Sequence, residues 1–554
     1  MAIETSSSII DDAPPRPFSI PIFRNVWAAS MASNFGGLIQ GVGAAWLMLS
    51  LGGTATEVAL VQASVTLPIM VMSLLSGAIA DNHDRRKIML YAQSFMLVCS
   101  AALAFAAWRE MLTPLSLLLF TFLIGCGTAM NGPAWQALVG DMVPRGTLPA
   151  AVAMNSMGFN IARSAGPAAG GVIVAAAGAF AAFAINALSY IPLIIVLALW
   201  RSPASQSNLP RENIGSAMLA GLRYVSASPA IIRVILRAAL FGLGAAAVPA
   251  LMPLVARHLV AGDATVFGIL SGVFGVGAVA GALGTARLRR TQPAERLIRG
   301  AMLLVGAGTL IVALSRSMPP VMAGLFLAGM GWVAALSSFN VSVQMNAPRW
   351  VVGRALSLYQ MGTFGAMAAG SWLAGSIAQH GSIAQSLFIS AGIMAAGILL
   401  GFLYPIARDD ALNLDPANRW HEPDLALAIE PRSGPVVVTV EYRIAEADQL
   451  AFLGIMAERR RIRRRDGALH WRLLRDLGDP EIWVEHYDVP SWTDYVRHNL
   501  RRTVADTDNF AAIRALHRGS WPPPIRRMLG REPGRQAVDP LPEREAMTDP
   551  ARSS

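Results

Sequence analysis

The sequence predicts an all-α polytopic membrane protein of twelve transmembrane helices in two six-helix repeats, followed by a small α+β unit. Three observations predict it. Of 554 residues, 54% are apolar and 14% charged, against about 25% charged in soluble domains, and the mean hydropathy is +0.46. The charge is unevenly distributed: residues 1–406 hold 22 Arg and Lys against 11 Asp and Glu, whereas 407–554 hold 23 against 24. Finally, a bilayer core about 30 Å thick takes roughly 20 residues of helix to cross. Apolar runs of that order recur at 25–50, 57–80, 88–108, 115–139, 150–175 and 179–200, and again at 231–256, 265–286, 297–314, 321–345, 353–378 and 383–406.

These runs divide the chain into a cytoplasmic N-terminal tail (1–23), a first half (24–200), a cytoplasmic central loop (201–229), a second half (230–407), a linker (408–434), a cytoplasmic α+β unit (435–530) and a disordered tail (531–554). In the central loop Ile214, Met218, Leu219, Leu222 and Val225 recur at helical spacing, which predicts an amphipathic helix at the membrane surface. Arg85, Arg86, Lys87, Arg145, Arg201, Arg211, Arg223, Arg287, Arg289, Arg290, Arg296, Arg299, Arg349 and Arg354 fall on one side of the bilayer and only Arg109, Arg257 and Arg316 on the other. That bias puts both termini on the cytoplasmic side; the expected location is a bacterial inner membrane. The basic pI, about 10.3, comes from these loop residues and indicates topology, with no nucleic-acid partner. Cys99 and Cys126 lie in apolar runs as structural thiols, and no metal-ligand spacing or cofactor motif stands out. After the linker, alternation predicts strands at 436–443, 469–475 and 482–487, with helices at 448–465, 492–502 and 508–516.

Between the second and third spans runs Gly77-Ala-Ile-Ala-Asp81-Asn-His-Asp-Arg85-Arg86-Lys87. Gly77 lets a neighbouring backbone approach, and Asp81 at a helix end is placed to meet a cation or a helix N-terminus. Arg85 is in reach of Asp141 at the end of the fourth span, while Arg86 and Lys87 are placed to meet anionic lipid. The stretch resembles motif A of the major facilitator superfamily, and the resemblance implies that Gly77, Asp81, Arg85 and Asp141 form a conformational gate. In the fifth span Gly166-Pro167-Ala-Ala-Gly170-Gly171 resembles motif C, the glycine-proline signature of exporters in that superfamily; small-residue helix packing alone is the other reading. Pro167 removes a backbone donor and can bend the helix. The runs 329–355 and 155–171 resemble the transmembrane secretion effector group, which includes the enterobactin exporters. This likeness covers about residues 20–406, and the second-half counterpart of motif A, Gly281 to Arg290, lacks the acidic residue.

Arg163 lies about halfway through the fifth span, where a guanidinium costs about 2.5–3.5 kcal/mol on insertion scales. No carboxylate lies mid-span to pair with it. An anionic substrate group or neighbouring polar groups such as Asn160 would satisfy it. Gln40, Asn131, Asn340 and Gln344, with Asn34 and Gln136, are polar residues in the spans that line the cavity in the superfamily, so Gln40, Asn131, Arg163, Asn340 and Gln344 are the candidate substrate residues. Each of the amides would serve equally as an interhelical hydrogen bond. The C-terminal unit resembles a ferredoxin-like domain of the antibiotic-biosynthesis monooxygenase type, with Trp471, Glu485, His486, Trp492 and His498 as pocket candidates and dimerisation or regulation as its expected role. The expectation is a secondary transporter, not an enzyme, exporting a small molecule (drug, siderophore or secondary metabolite) by alternating access. Proton coupling is implied by the resemblance alone, since the embedded carboxylates that carry it are missing. The alternative is a membrane-tethered enzyme or regulatory scaffold acting through the C-terminal unit.

Overall fold

The computed structural model describes residues 17–144, 147–200, 214–348, 350–406 and 429–531, with a few positions between 414 and 427. The first 16 residues, Arg145, residues 201–213, most of the linker and the tail from 532 lie outside the described residues, as do the side chains of Asp81 and Asn160 and the surroundings of Gly77. The chain forms two compact units, residues 1–347 with 352–409, and 348–351 with 410–554.

Local chemistry sets the helix ends. The first helix, α1 (Pro21–Ser50), opens on proline, whose missing N–H is one the first turn leaves unbonded anyway. The second, α2 (Ala55–Asn82), starts at a reciprocal cap in which Thr54 Oγ1 accepts from the Glu57 N–H at 3.2 Å and Glu57 Oε2 accepts from the Thr54 N–H at 2.8 Å. Asp84 caps α3 (Arg85–Trp108), and α4 (Pro114–Met142) again opens on proline. Next, α5 (Leu148–Leu199) runs for 52 residues, about 78 Å at the usual rise, which is too long for one crossing. It breaks at Gly178, where φ is +74°, a conformation glycine adopts without a side-chain clash. The central connection carries α6 (Ile214–Ser226), followed by α7 (Pro229–Ala245) and α8 (Ala247–Leu254). Pro249 has no N–H for the carbonyl of Ala245, and the helix breaks beside it at Ala246. A single π-helical turn, Val255–Leu259, ends this segment. Five more helices follow: α9 (Ala264–Leu288), α10 (Ala294–Leu314), α11 (Met318–Met345), α12 (Val352–His380) and α13 (Ile383–Leu403).

Nine segments among the described residues are long and apolar enough to cross a membrane. The expected number was twelve. The 52-residue α5 contributes one of the nine, and α1 and α12 are not among them. Large apolar side chains point outward, including Val98, Leu115, Leu199, Leu303 and Phe402, as they do where lipid replaces water. Inside, small residues carry the packing. A Cβ on Gly281 of α9 would lie 2.1 Å from the carbonyl oxygen of Met330 on α11. Helix α1 packs on α5, while α2 on α12 and α5 on α9 join the first group of helices to the second.

The C-terminal unit adds β1 (Val436–Arg443), α14 (Gln449–Arg465), β2 (Leu469–Arg475), β3 (Ile482–Val489), α15 (Trp492–Leu500), α16 (Val504–Leu516) and β4 (Ile525–Leu529). Its antiparallel sheet has the order β2-β3-β1-β4. Alternation puts Val436, Val438, Val440 and Tyr442 of β1 and Trp483, Glu485, Tyr487 and Val489 of β3 on the buried face, where they meet Phe452 and Met456 of α14.

Candidate functional site

A cavity of about 470 Å³ lies among α1, α2, α3, α4, α5, α8, α9 and α11. The proline break of the seventh segment turns Pro249, Met252 and Pro253 of α8 into its wall. Arg163 of α5 enters from one side, with its guanidinium carbon 6.0 Å from the ring centroid of Trp332 on α11. Among the described residues no carboxylate pairs with it. Pro167, one turn later, offers no N–H to the Arg163 carbonyl. The helix continues through Pro167 with helical backbone angles, and its one non-helical residue is Gly178, at the expected connection between the fifth and sixth spans.

The amides are both lining and scaffold. Asn186 Nδ2 donates to Gln40 Oε1 at 3.1 Å, to Ser100 Oγ at 3.1 Å and to the Tyr190 hydroxyl at 3.2 Å. Gln93 Nε2 donates to Asn131 Oδ1 at 3.3 Å. Gln40, Asn131 and Arg163 therefore share the cavity with Asn34, Gln93 and Tyr190. Asn340 and Gln344 are not among its lining residues; Gln344 donates to Asn340 along the exposed side of α11, one helical turn apart. The expectation placed them by span number alone, and a span presents several faces. Gln93, Asn186 and Tyr190 were open to the same reading as the other amides, as lone polar groups in apolar runs.

At one end of the cavity the two groups of helices touch. A Cβ on Gly171 would lie 2.5 Å from the Gly268 Cα and 2.8 Å from the Ala264 carbonyl, so α5 and α9 meet backbone to backbone. Gly170 packs less tightly on α1, where a Cβ would lie 3.1 Å from the Ile39 Cα and 3.2 Å from the Val42 Cβ, and a Cβ on Gly166 would lie 2.9 Å from the Leu38 Cβ. Nearby, Trp46 stacks on Phe267 and Thr56 Oγ1 bonds Gln379 across α2 and α12. At the opposite end Arg85 Nη1 donates to both oxygens of Asp141 at 2.9 Å. Gly77 and the Asp81 side chain lie outside the described set, so the other half of the expected gate has no geometry here. Arg86 does not reach for lipid as expected. Its Nε and Nη2 donate to the carbonyls of Leu197 and Ala198, at 2.6 and 2.9 Å, closing the carbonyls that the end of α5 leaves open.

One buried ion pair had no counterpart in the sequence reading. Arg237 of α7 donates to Glu295 at the start of α10, and Glu295 also accepts from the Ile406 N–H at 2.9 Å and meets Arg299 Nε at 3.3 Å. Glu295 was taken as part of a loop, but α10 begins at Ala294 and buries it.

The five pocket candidates of the C-terminal unit do not share a pocket. Strand alternation buries Glu485 and turns His486 to the other face. Trp492 stacks on Tyr495 at 5.1 Å. Glu485 accepts from Tyr442, Arg463 and Trp471 at 2.9, 3.0 and 2.9 Å, and despite burial the two guanidinium groups, Arg463 and Arg459, hold its carboxyl far below the usual range. Arg463 Nη1 donates to His498 Nε2 at 3.0 Å. Burial first, then the charges of Arg463 and Arg502, push His498 well below 6.5 and keep it neutral. An unfolded chain takes up that proton as pH falls through about 6.5 while the folded one does not, so His498 stabilises the fold above that pH and loses this contribution below it. Between pH 6.5 and 5.5 the unit is expected to lose about 1 kcal/mol from this group. The hydrogen-exchange protection factors of peptides covering 482–489 in the full chain, which divide out the slowing of intrinsic exchange with falling pH, should fall about fivefold over that step, and His498→Gln should flatten it; equal slopes in both proteins would refute the assignment.

Long apolar helices packed through small residues around a polar central cavity define a polytopic membrane transporter. A profile of the transmembrane secretion effector family matches residues 13–534, and the chain belongs to that family of the major facilitator superfamily. The match runs through the C-terminal unit, well past the residue 406 to which the resemblance was drawn. The chain is 24% identical over 386 residues to the multidrug efflux pump Tap of Mycolicibacterium fortuitum, covering 68% of this chain and 94% of Tap. It is 27% identical over 390 residues to the enterobactin exporter EntS of Salmonella typhimurium, covering 69% and 91%. Among solved structures, a bacterial homolog of the human lysosomal transporter Spinster, inward-facing and unoccupied, superposes with a TM-score of 0.57 at 14% identity over 70% of this chain and 97% of the other.

Proposed function

We propose that this protein exports a small organic molecule from a bacterial cytoplasm by alternating access, through twelve crossings arranged as two repeats of six with both termini inside. The observation that carries the reading is the central cavity, in which one cation, Arg163, faces an aromatic ring and a set of amides, at the meeting of the two helix groups. Such a lining suits a substrate with an apolar or aromatic body and an anionic or oxygen-rich group. A drug, a siderophore or another secondary metabolite has that chemistry, and the efflux pump and siderophore exporter among its relatives support the class. In this reading Gly77, Asp81, Arg85 and Asp141 gate the cytoplasmic end and Gly166, Pro167, Gly170 and Gly171 the outer one. Proton coupling is implied by the superfamily only, and the export reading does not depend on it. Self-association of the C-terminal unit, whose strand order supports a ferredoxin-like fold, would use the open sheet edges β2 and β4.

Substrate affinity on purified Arg163 variants tests the reading. Arg163→Lys keeps the charge but loses the planar fork of donors, and Arg163→Gln loses both. The expected result is a graded loss, reaching about tenfold to a hundredfold in Arg163→Gln, the worth of a charged hydrogen bond. Unchanged affinity in well-folded Arg163→Gln would reject substrate recognition by this residue.

A further inference from the structure

The C-terminal unit holds a second cavity, of about 450 Å³, that the transport reading does not use. Its walls are aromatic: Trp420, Tyr442, Phe510 and Trp521 line it, with Pro522 and Pro523 beside them. Its charged groups are all guanidinium. Arg459 is 2% exposed and lies with its guanidinium carbon 3.9 Å from the Phe510 ring centroid. Arg502 approaches the same ring at 4.9 Å, and Arg514, the exposed one, lies 5.7 Å from the Trp521 ring.

Among the described residues the charges here do not balance. Buried Arg459 and Arg463 share one carboxylate, Glu485, of which Arg463 takes the better part at 3.0 Å, and half-buried Arg502 lies beside them with none. Arg459 Nε is 3.5 Å from Glu485, makes no hydrogen bond and is shielded from solvent. Arg502 is bonded by the neutral Asn499. The other buried carboxylates among the described residues of this unit, Asp466 and Asp506, are held by Arg465. Burial together with the charges of Arg463 and Arg459 pulls Arg502 down to about 10, as expected for a cation among cations. A buried cation that must share its counter-charge is costly, and perturbed charged groups of this kind in a cleft mark candidate binding sites. Guanidinium groups facing aromatic walls fit a flat ring that carries an acidic group, because the carboxylate takes the fork of donors and the ring stacks on the walls.

We propose that this cavity is a binding site for an aromatic carboxylate, with Arg459 and Arg502 receiving the carboxylate and Phe510, Trp420 and Trp521 holding the ring. The site is distinct from the transport cavity and does not rest on the export reading. Nothing in it requires turnover; binding is the function assigned.

Calorimetric titration of the full-length protein in lipid nanodiscs tests the site, with 2-naphthoate as probe and 2-naphthamide as its neutral counterpart. Naphthoate should bind at least about tenfold more tightly than the amide, and Arg459→Gln and Arg502→Gln should each weaken naphthoate by about tenfold, the worth of one charged hydrogen bond. All titrations are made in an Arg163→Gln background, which removes the cation of the transport cavity, so the naphthoate binding that remains reports the C-terminal site. Acid and amide binding alike, or naphthoate binding that survives both further Gln variants, would each overturn the proposal. Should a buried variant fail to fold, Arg514→Gln decides: exposed and on the lining, it should fold normally and weaken naphthoate about threefold relative to the amide, and an unchanged acid-to-amide ratio would overturn the site.

Discussion

Replacing Glu295 by glutamine is expected to destabilise the transmembrane unit by about 3–5 kcal/mol, the cost of stranding one member of a buried ion pair. Arg237 is 5% exposed, and its Nε and Nη2 have no hydrogen-bond partner, so the Nη1 contact to Glu295 is its described counter-charge. The same carboxylate accepts from the Ile406 N–H, and Gly401 of α13 packs against it. One side chain thus ties α7, α10 and α13 together. The expected result is a purified variant melting well below the parent. The double substitution Arg237→Met with Glu295→Met, which removes both charges and keeps volume, should recover most of that loss. A Glu295→Gln protein that melts with the parent would show that Arg237 reaches water or another partner and that the pair does not hold these helices.

What the sequence made legible was local. Runs of apolar residues long enough for the bilayer became helices, as at 115–139, observed as Pro114–Met142, and the expected connection near Gly178 is where α5 breaks. In the C-terminal unit alternation gave β1 and β2 at the residues observed and β3 within two residues. The strand Ile525–Leu529 was missed, because Ile-Arg-Arg-Met-Leu does not alternate and prolines precede it. Pairings at a distance were not legible. Arg237 and Glu295 are 58 residues apart, and nothing in the periodicity of either helix points to the other. The face of a helix was equally hidden: Asn131 reaches the cavity while Asn340 and Gln344 do not, although all three are amides in apolar runs. Arg163 was legible for a physical reason, since a charge at that depth needs a water-filled or polar surrounding wherever the helix turns.

Substituting valine for Gly171 is expected to lower export about fivefold or more while the protein still reaches the membrane. The atoms that a side chain would strike at this position are backbone, the Gly268 Cα at 2.5 Å, the Ala264 carbonyl at 2.8 Å and the Gly268 N at 2.9 Å, and backbone cannot swing aside as a side chain can. The helices α5 and α9 must therefore separate locally, at a cost of about 1–3 kcal/mol for overpacking of this kind. If the contact forms only while this end of the cavity is closed, that cost falls on one state of the transport cycle and shifts the balance toward the other by about five- to a hundredfold. Gly171→Ala should show the same direction with a smaller loss. Gly392→Ala on α13, where an added Cβ meets nothing within 4 Å, should transport normally. Flux through vesicles, normalised to inserted protein, measures all three. Parental flux in Gly171→Val would mean that this backbone contact is not remade in each cycle, and the proposed gate at this end would have to be sought on the α2 and α12 side, where Gly375 packs against Thr56 and Ala59.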